Sequence, residues 1–158
     1  RGPRESDFDA YAAFFATDRA KFVGGPIPRE RAWRTLAQEA GHWALRGYGR
    51  WIVTKKGGDD TALGIVGLWY PEGFPEHELG WDLFDGATGK GYATEAGRAA
   101  RDYAYGTLGW TTLTSLIDPA NTASAAVATR LGAACEYDYD HPHFGTVKIW
   151  RHPGPEAR

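Results

Sequence analysis

The run Gly86-Ala87-Thr88-Gly89-Lys90-Gly91-Tyr92-Ala93-Thr94-Glu95-Ala96 concentrates three glycines and a lysine between a strand-like and a helix-like segment. Glycines let the chain turn tightly and gather backbone N–H groups, and a following helix adds the positive end of its dipole. Together these form a site for an anion such as a phosphate or pyrophosphate. The dipole contributes only about 0.3–1 kcal/mol at exposed sites, so convergent N–H groups and Lys90 must supply the rest. A tight turn with no ligand satisfies the same glycines. Among nucleotide motifs, a P-loop would need glycine at position 84 and Ser or Thr at 91, where Phe84 and Gly91 stand. A dinucleotide fingerprint beginning at Gly89 would need glycine at 94, where Thr94 stands, although Asp118 falls near the place of a ribose-binding acid.

Other reactive side chains are sparse. Cys135 is the only cysteine, which excludes an intrachain disulfide and a multi-thiolate metal site and fits a reducing compartment, most simply the cytoplasm. With no histidine beside it to activate the thiol, Cys135 is expected to be a small core residue. The pair His141-x-His143 lacks further ligands at a supportive spacing and reads as a loop pair, so no metal is expected. The loop 71–78 (PEGFPEHE) is rich in groups that can move protons: Glu72, Glu76, His77 and Glu78.

These residues must be held by a folded frame. Ser6 followed by Asp7, Asp9 and apolar residues at helical spacing predicts an N-capped helix over 7–16. Pro28 opens a second helix, with Trp33, Leu36, Ala37, Ala40 and Ala44 on its apolar stripe and an end near Gly47. Residues 48–55 and 62–70 read as a hairpin around Gly57-Gly58-Asp59-Asp60, and 78–84 as a third strand with Leu79, Trp81 and Leu83 on one face. A helix over 92–108 carries a stripe of small residues that lets it lie close to a sheet, with Gly109 closing it. A strand over 112–117, a short helix opened by Asn121, and a hairpin over 135–139 and 146–150 complete the chain, with a stubby first strand at 1–4 and a loose tail over 152–158. Consecutive hairpins with one strand-helix-strand crossover predict a mixed, mostly antiparallel α/β (α+β) sheet with helices on both faces.

The 158 residues suit a single domain over 1–158, and 42% hydrophobic residues, including seven Trp, exclude a disordered chain. A net charge of −2 excludes a basic field for nucleic acid, and no apolar run reaches membrane-spanning length. The aromatic content would permit a homodimer interface.

Gly89-Lys90-Gly91-Tyr92-Ala93-Thr94-Glu95-Ala96, then Asp118-Pro119-Ala120-Asn121-Thr122-Ala123-Ser124 and Arg130-Leu131-Gly132-Ala133, together resemble the GNAT N-acetyltransferases, more narrowly the branch of the ribosomal-protein alanine acetyltransferases. Gly67-Leu68-Trp69 and Glu78-Leu79-Gly80-Trp81 extend the likeness over nearly the whole chain. The resemblance implies a bacterial-like acyltransferase with the GNAT fold and an acetyl-CoA site. Backbone N–H groups of Gly89, Lys90, Gly91, Tyr92, Ala93 and Thr94 would cradle the pyrophosphate. The strand ending in Leu83, Phe84 and Asp85 would splay from its neighbour and bond the pantetheine arm, with Asn121 and Ser124 facing the cofactor. Asn121 also suits an N-cap, and Ser124 a bond within the first helical turn. Glu78 stands where several relatives place a base, Tyr70 and Trp81 would line the acceptor pocket, and the acceptor would be a small-molecule amine or a protein N-terminus.

Two departures accompany the likeness. Gly86 replaces a side chain that usually contacts the cofactor, and Ala128 stands where many members carry a tyrosine acid. The loss at Ala128 leaves open a non-catalytic acyl-CoA-binding module, and the glycine turn leaves open a dinucleotide-binding protein.

Overall fold

The computed structural model describes residues 1–157. Helices α1 (Phe8–Phe15) and α2 (Arg29–Arg46) lead into strands β1 (Arg50–Val53), β2 (Gly64–Trp69) and β3 (Glu78–Leu83). Helix α3 (Tyr92–Gly106), strand β4 (Thr114–Ile117), helix α4 (Thr122–Arg130) and the hairpin β5 (Ala134–His141) and β6 (Gly145–Arg151) follow. The six strands form one sheet in the order β1-β2-β3-β4-β6-β5, and every pair is antiparallel except β3 with β4. This is the mixed, mostly antiparallel sheet that the sequence predicts.

Alternation along the strands divides the core between the two faces. Ile52, Ile65 and Phe84 join Tyr11, Phe14, Phe15 and Leu36 of α1 and α2. Leu68 and Leu79 face the other way, against Ala100 and Ala104 of α3, whose small side chains allow the close approach. Thus residues 78, 80 and 82 of β3 face α1 and α2, whereas 79 and 81 face α3 and α4.

Gly67 has a structural reason in this sheet. Its φ is +149°, and a Cβ there would lie 2.7 Å from Trp51 Cε3 and 2.8 Å from both Arg50 Cα and Gly49 O. Because backbone atoms cannot step aside, Gly67→Ala is expected to destabilise the protein by on the order of 3 kcal/mol, read from urea unfolding. A loss below about 1 kcal/mol would show that β1 and β2 separate freely at this point.

The structure corrects several local expectations. Ser6 does not cap α1: the chain enters through a 3-10 turn over Glu5–Asp7, and buried Asp7 holds the entry by accepting from Arg4 N (2.7 Å) and the Arg1 guanidinium (2.8 and 2.9 Å). A longer-range ion pair therefore replaces the local cap. Helix α3 ends at Gly106 rather than 108, with Thr107 at its C-cap. Cys135 is exposed, not core, because the outer strand β5 has little covering that part of it. Arg1 meets β1, accepting from Ile52 N (2.8 Å) and donating its N-terminal ammonium to Ile52 O (3.3 Å), without forming a full strand. The tail begins with His152, which is 2% exposed and donates its N–H to Leu113 O (2.9 Å); residue 158 lies outside the described residues.

Candidate active site

Strands β3 and β4 run parallel and pair only at Glu78 and Thr114; beyond that point they diverge. Side chains pin the apex of the opening. Ser115 Oγ donates to Leu79 O (2.6 Å), and Glu78 Oε1 accepts from Leu116 N (3.2 Å), an N–H freed by the divergence. Since Ser115 gives its proton to a carbonyl, His152 Nε2, 2.9 Å from Ser115 Oγ, carries the hydrogen of that contact. Burial, with Arg101 nearby, lowers the His152 pKa to about 4, so its ring is neutral at pH 7.

Glu78 is half-buried at the apex. Loss of solvent pushes its carboxyl up to about 7, against the opposing pull of the Leu116 N–H and of Arg50. A carboxyl that titrates near neutrality can both accept and release a proton under working conditions. Its sequence neighbours are committed elsewhere. Glu76 is ion-paired to Arg151 (2.5 and 2.8 Å) and accepts from Tyr137 Oη (3.1 Å), and Arg151 holds its pKa below the usual carboxylate range. His77 packs on Trp110 (4.0 Å between centroids) and Tyr70 (4.4 Å), and burial lowers its pKa. Glu72 is exposed.

The glycine turn lies where β3 passes into α3. Gly86, Gly89 and Gly91 have φ of +73°, +75° and +82°, and no heavy atom comes within 4 Å of a Cβ built on any of them. The turn is therefore open where those side chains would stand. Gly91 caps α3 with no side chain, and the first bond into the helix is Glu95 N to Gly91 O (3.0 Å). The N–H groups of Tyr92, Ala93 and Thr94 precede that bond and have no partner inside the helix. Lys90 is exposed beside them.

The remaining expected cofactor residues divide in their placement. Asn121 Oδ1 accepts from Ser124 N (3.1 Å), so it caps α4. Ser124 Oγ accepts from Trp81 Nε1 (3.0 Å), a bond that crosses from β3 to α4. Leu83 and Phe84 present their carbonyls to Arg19 Nη2 (2.9 and 3.3 Å), and Asp85 takes Arg19 Nη1 (2.9 Å). Tyr70 lies with His77 under Arg46, whereas Trp81 faces α4, so these two do not share one arrangement. Asp118, considered for a ribose, spends Oδ1 on Ala120 N (2.8 Å) in a local turn. Ala128 is fully buried against Ile117 and Ala133.

Sequence reasoning missed a charged group on the α1/α2 side of Glu78. Arg50 binds Asp82 (Nη1 to Oδ2, 2.7 Å) and both carboxylate oxygens of Glu39, and all three side chains are buried or nearly so. Helical or strand spacing offers no signal for it, since the partners stand 11 and 32 residues from Arg50. A groove of about 490 Å³ between α3 and β1–β2, lined by Trp51, Val66, Ala96 and Tyr103, lies apart from this apex. Among the described residues no cluster of His, Cys, Asp and Glu is arranged to hold a metal, and no helix is long and apolar enough to cross a membrane.

A parallel pair splayed beyond one paired position, with a glycine turn feeding the central helix, is the frame of an acetyltransferase. The family model of the acetyltransferase (GNAT) domain matches residues 1–134, and the chain belongs to the GNAT family. An acetyltransferase from Agrobacterium tumefaciens str. C58 is 35% identical with a TM-score of 0.86, the match covering 96% of this chain and 88% of that one. The ribosomal-protein-S5-alanine acetyltransferase from Vibrio fischeri shares the fold at 18% identity and a TM-score of 0.71, covering 100% and 93%. So does RimL, the ribosomal L7/L12 α-N-protein acetyltransferase, in its complex with coenzyme A, at 15% identity and a TM-score of 0.74, covering 97% and 92%.

Proposed function

We propose that this chain is an acetyl-CoA-dependent N-acetyltransferase that moves an acetyl group to a primary amine by direct transfer in a ternary complex, with Glu78 as the base. The observation that carries this reading is the placing of the Glu78 carboxyl at the apex of the splayed strands, where it accepts from Leu116 N and burial raises its pKa to about 7. The acceptor is a small-molecule amine or a protein N-terminus, and the chain works as one catalytic unit in the cytoplasm.

The open glycine turn fits a pyrophosphate: its backbone can approach an anion closely, and the first N–H groups of α3 point out of the helix. Gly89, Lys90, Gly91, Tyr92, Ala93 and Thr94 would hold the pyrophosphate, and the gap between β3 and β4 would take the pantetheine arm. Asn121 and Ser124, at the start of α4, would face the cofactor there. When bound, acetyl-CoA supplies an activated acyl group whose C–S bond breaks as the new C–N bond forms. Glu78 takes the proton that the amine nitrogen loses. The Ser124 oxygen is occupied as acceptor by Trp81, which leaves its own proton available to the departing sulfur. Arg19 steadies the backbone at Leu83 and Phe84, so the strand end keeps its place. Positioning, more than any single strong catalyst, supplies the acceleration.

The buried Ala128 favours a second reading, a module that binds acyl-CoA without turnover. Calorimetric titration with acetyl-CoA, with NAD as matched control, followed by thiol release over a panel of amines, separates the readings. Saturable binding of acetyl-CoA alone with thiol release is expected. Binding without release across the panel would support the module, and absence of acetyl-CoA binding would overturn both.

A further inference from the structure

Arg50, Gly67 and Gly80 lie in register on three adjacent strands, Arg50 opposite Gly67 and Gly67 opposite Gly80. The two glycines remove the side chains that would stand in the path of Arg50, so its long side chain lies across the α1/α2 face of the sheet. A Cβ built on Gly80 would sit 3.7 Å from Arg50 Nη1, 3.8 Å from its Cδ, and 3.9 Å from Glu78 Cδ. Gly80 therefore marks the narrow gap between the guanidinium and the Glu78 carboxyl.

The guanidinium is fixed in direction. Glu39 takes Nε and Nη2, Asp82 takes Nη1, and the ring of Trp69 lies 5.2 Å from the guanidinium carbon. Three carboxyl groups thus surround one cation, and two of them are buried in contact with it. Fixed charges in a site poor in water act on a neighbour more strongly than exposed ones.

We propose that Arg50, laid across Gly67 and Gly80 and clamped by Glu39 and Asp82, is a positioning residue that sets the charge state of Glu78. This rests on the reading of Glu78 as the base. Arg50 favours the carboxylate, and Glu39 and Asp82 oppose it while holding Arg50 in place. Desolvation raises the Glu78 carboxyl, the Leu116 N–H and Arg50 pull it back, and the two acids offset part of that pull, which leaves Glu78 able to exchange a proton near neutral pH. The other groups on the elements around Glu78 do not supply such a charge. From α2, both ring nitrogens of His42 are engaged with backbone, Nε2 accepting from Tyr70 N (3.0 Å) and Nδ1 lying 2.7 Å from Tyr48 O. From α1, the Tyr11 hydroxyl is buried and its pKa is raised by burial and Glu39. Strand β4 offers the Leu116 N–H, and His77, one residue before, is neutral at pH 7 with its pKa lowered by burial.

The test is a carbon-detected NMR titration of the Glu78 carboxyl in the protein without cofactor, with the resonance assigned by its disappearance in Glu78→Gln. The midpoint is expected near pH 7 in the unaltered protein. Asp82→Asn and Glu39→Gln each remove one negative charge while leaving Arg50 its other partner, so both are expected to fold, and each should lower the midpoint by about one unit. Arg50→Gln should raise it by a similar amount. The acidic limb of kcat/KM for amine acetylation should move with the midpoint in each variant, an opposed pair of shifts that a merely structural role would not produce. Midpoints unmoved in Asp82→Asn and Glu39→Gln, or shifted upward, would overturn the inference even if Arg50→Gln does not fold. If the midpoints move as expected while Glu78→Gln keeps full turnover, the electrostatic coupling stands and the base assignment fails.

Discussion

Glu78→Gln is expected to lower kcat/KM for amine acetylation by about 10²–10⁴ at pH 7, the range of a positioned general base. The unaltered protein should gain activity as pH rises through about 7, where Glu78 loses its proton, and the variant should lose that limb and keep only the ionisation of the acceptor. Acetyl-CoA affinity should change little, because the glycine turn and α3 are untouched. Stability gives an independent check on the same group. The folded state raises the Glu78 pKa from 4.5 to about 7, so it retains a proton that the unfolded chain releases. The associated stability is present below pH 4.5 and is lost as pH rises through about 7. This shift corresponds to up to about 3 kcal/mol. Glutamine stays neutral and keeps an oxygen for Leu116 N, so above pH 7 the variant should be at least as stable as its parent. Pre-steady-state thiol release and thermal unfolding at pH 5 and 8 would measure both effects. A folded variant with unchanged turnover would remove Glu78 from the chemistry.

The second large effect concerns the glycine turn. Gly91→Glu places an anion where the pyrophosphate is proposed to bind, and acetyl-CoA should bind at least about 100-fold more weakly, a cost near 3 kcal/mol from like charge and blocked N–H groups. The variant should fold, because nothing lies within 4 Å of the Cβ position. Its φ of +82° costs about 1 kcal/mol in stability. Gly91→Ala shares that cost without the charge and should keep most of the affinity. Calorimetry on the two variants distinguishes loss of the site from loss of the turn, and undiminished binding in Gly91→Glu would move the pyrophosphate elsewhere.

Much of the frame was legible because its signals are local. Helices α2 and α3 follow from their apolar stripes, α2 also from its closing Gly47, and the β1–β2 hairpin follows from two apolar runs around a glycine-aspartate turn. The start of α1 was misread for the same reason. Ser6 is a good local cap, but Arg1 and Asp7 settle the entry through a contact that spacing rules do not weigh. Cys135 was misread because burial depends on what covers β5, and no property of one strand specifies its cover.

Within the candidate site the same division holds. The glycine turn is a contiguous run, so its positive φ angles and its place at the head of α3 are written in residues 86–92. Trp81 and Ser124, 43 positions apart, meet only because β3 and α4 pack on one side of the sheet. Amino-acid sequence by itself determined the order of the elements, the strand faces and the glycine turn, since these depend on interactions between near neighbours. Tertiary structure alone decided that β3 and β4 separate beyond Glu78, that Glu39, Arg50 and Asp82 converge beside it, and that its carboxyl is stripped of enough water to titrate near neutrality. Desolvation and Coulomb forces act through space, and the distances that set them exist only once the chain is folded.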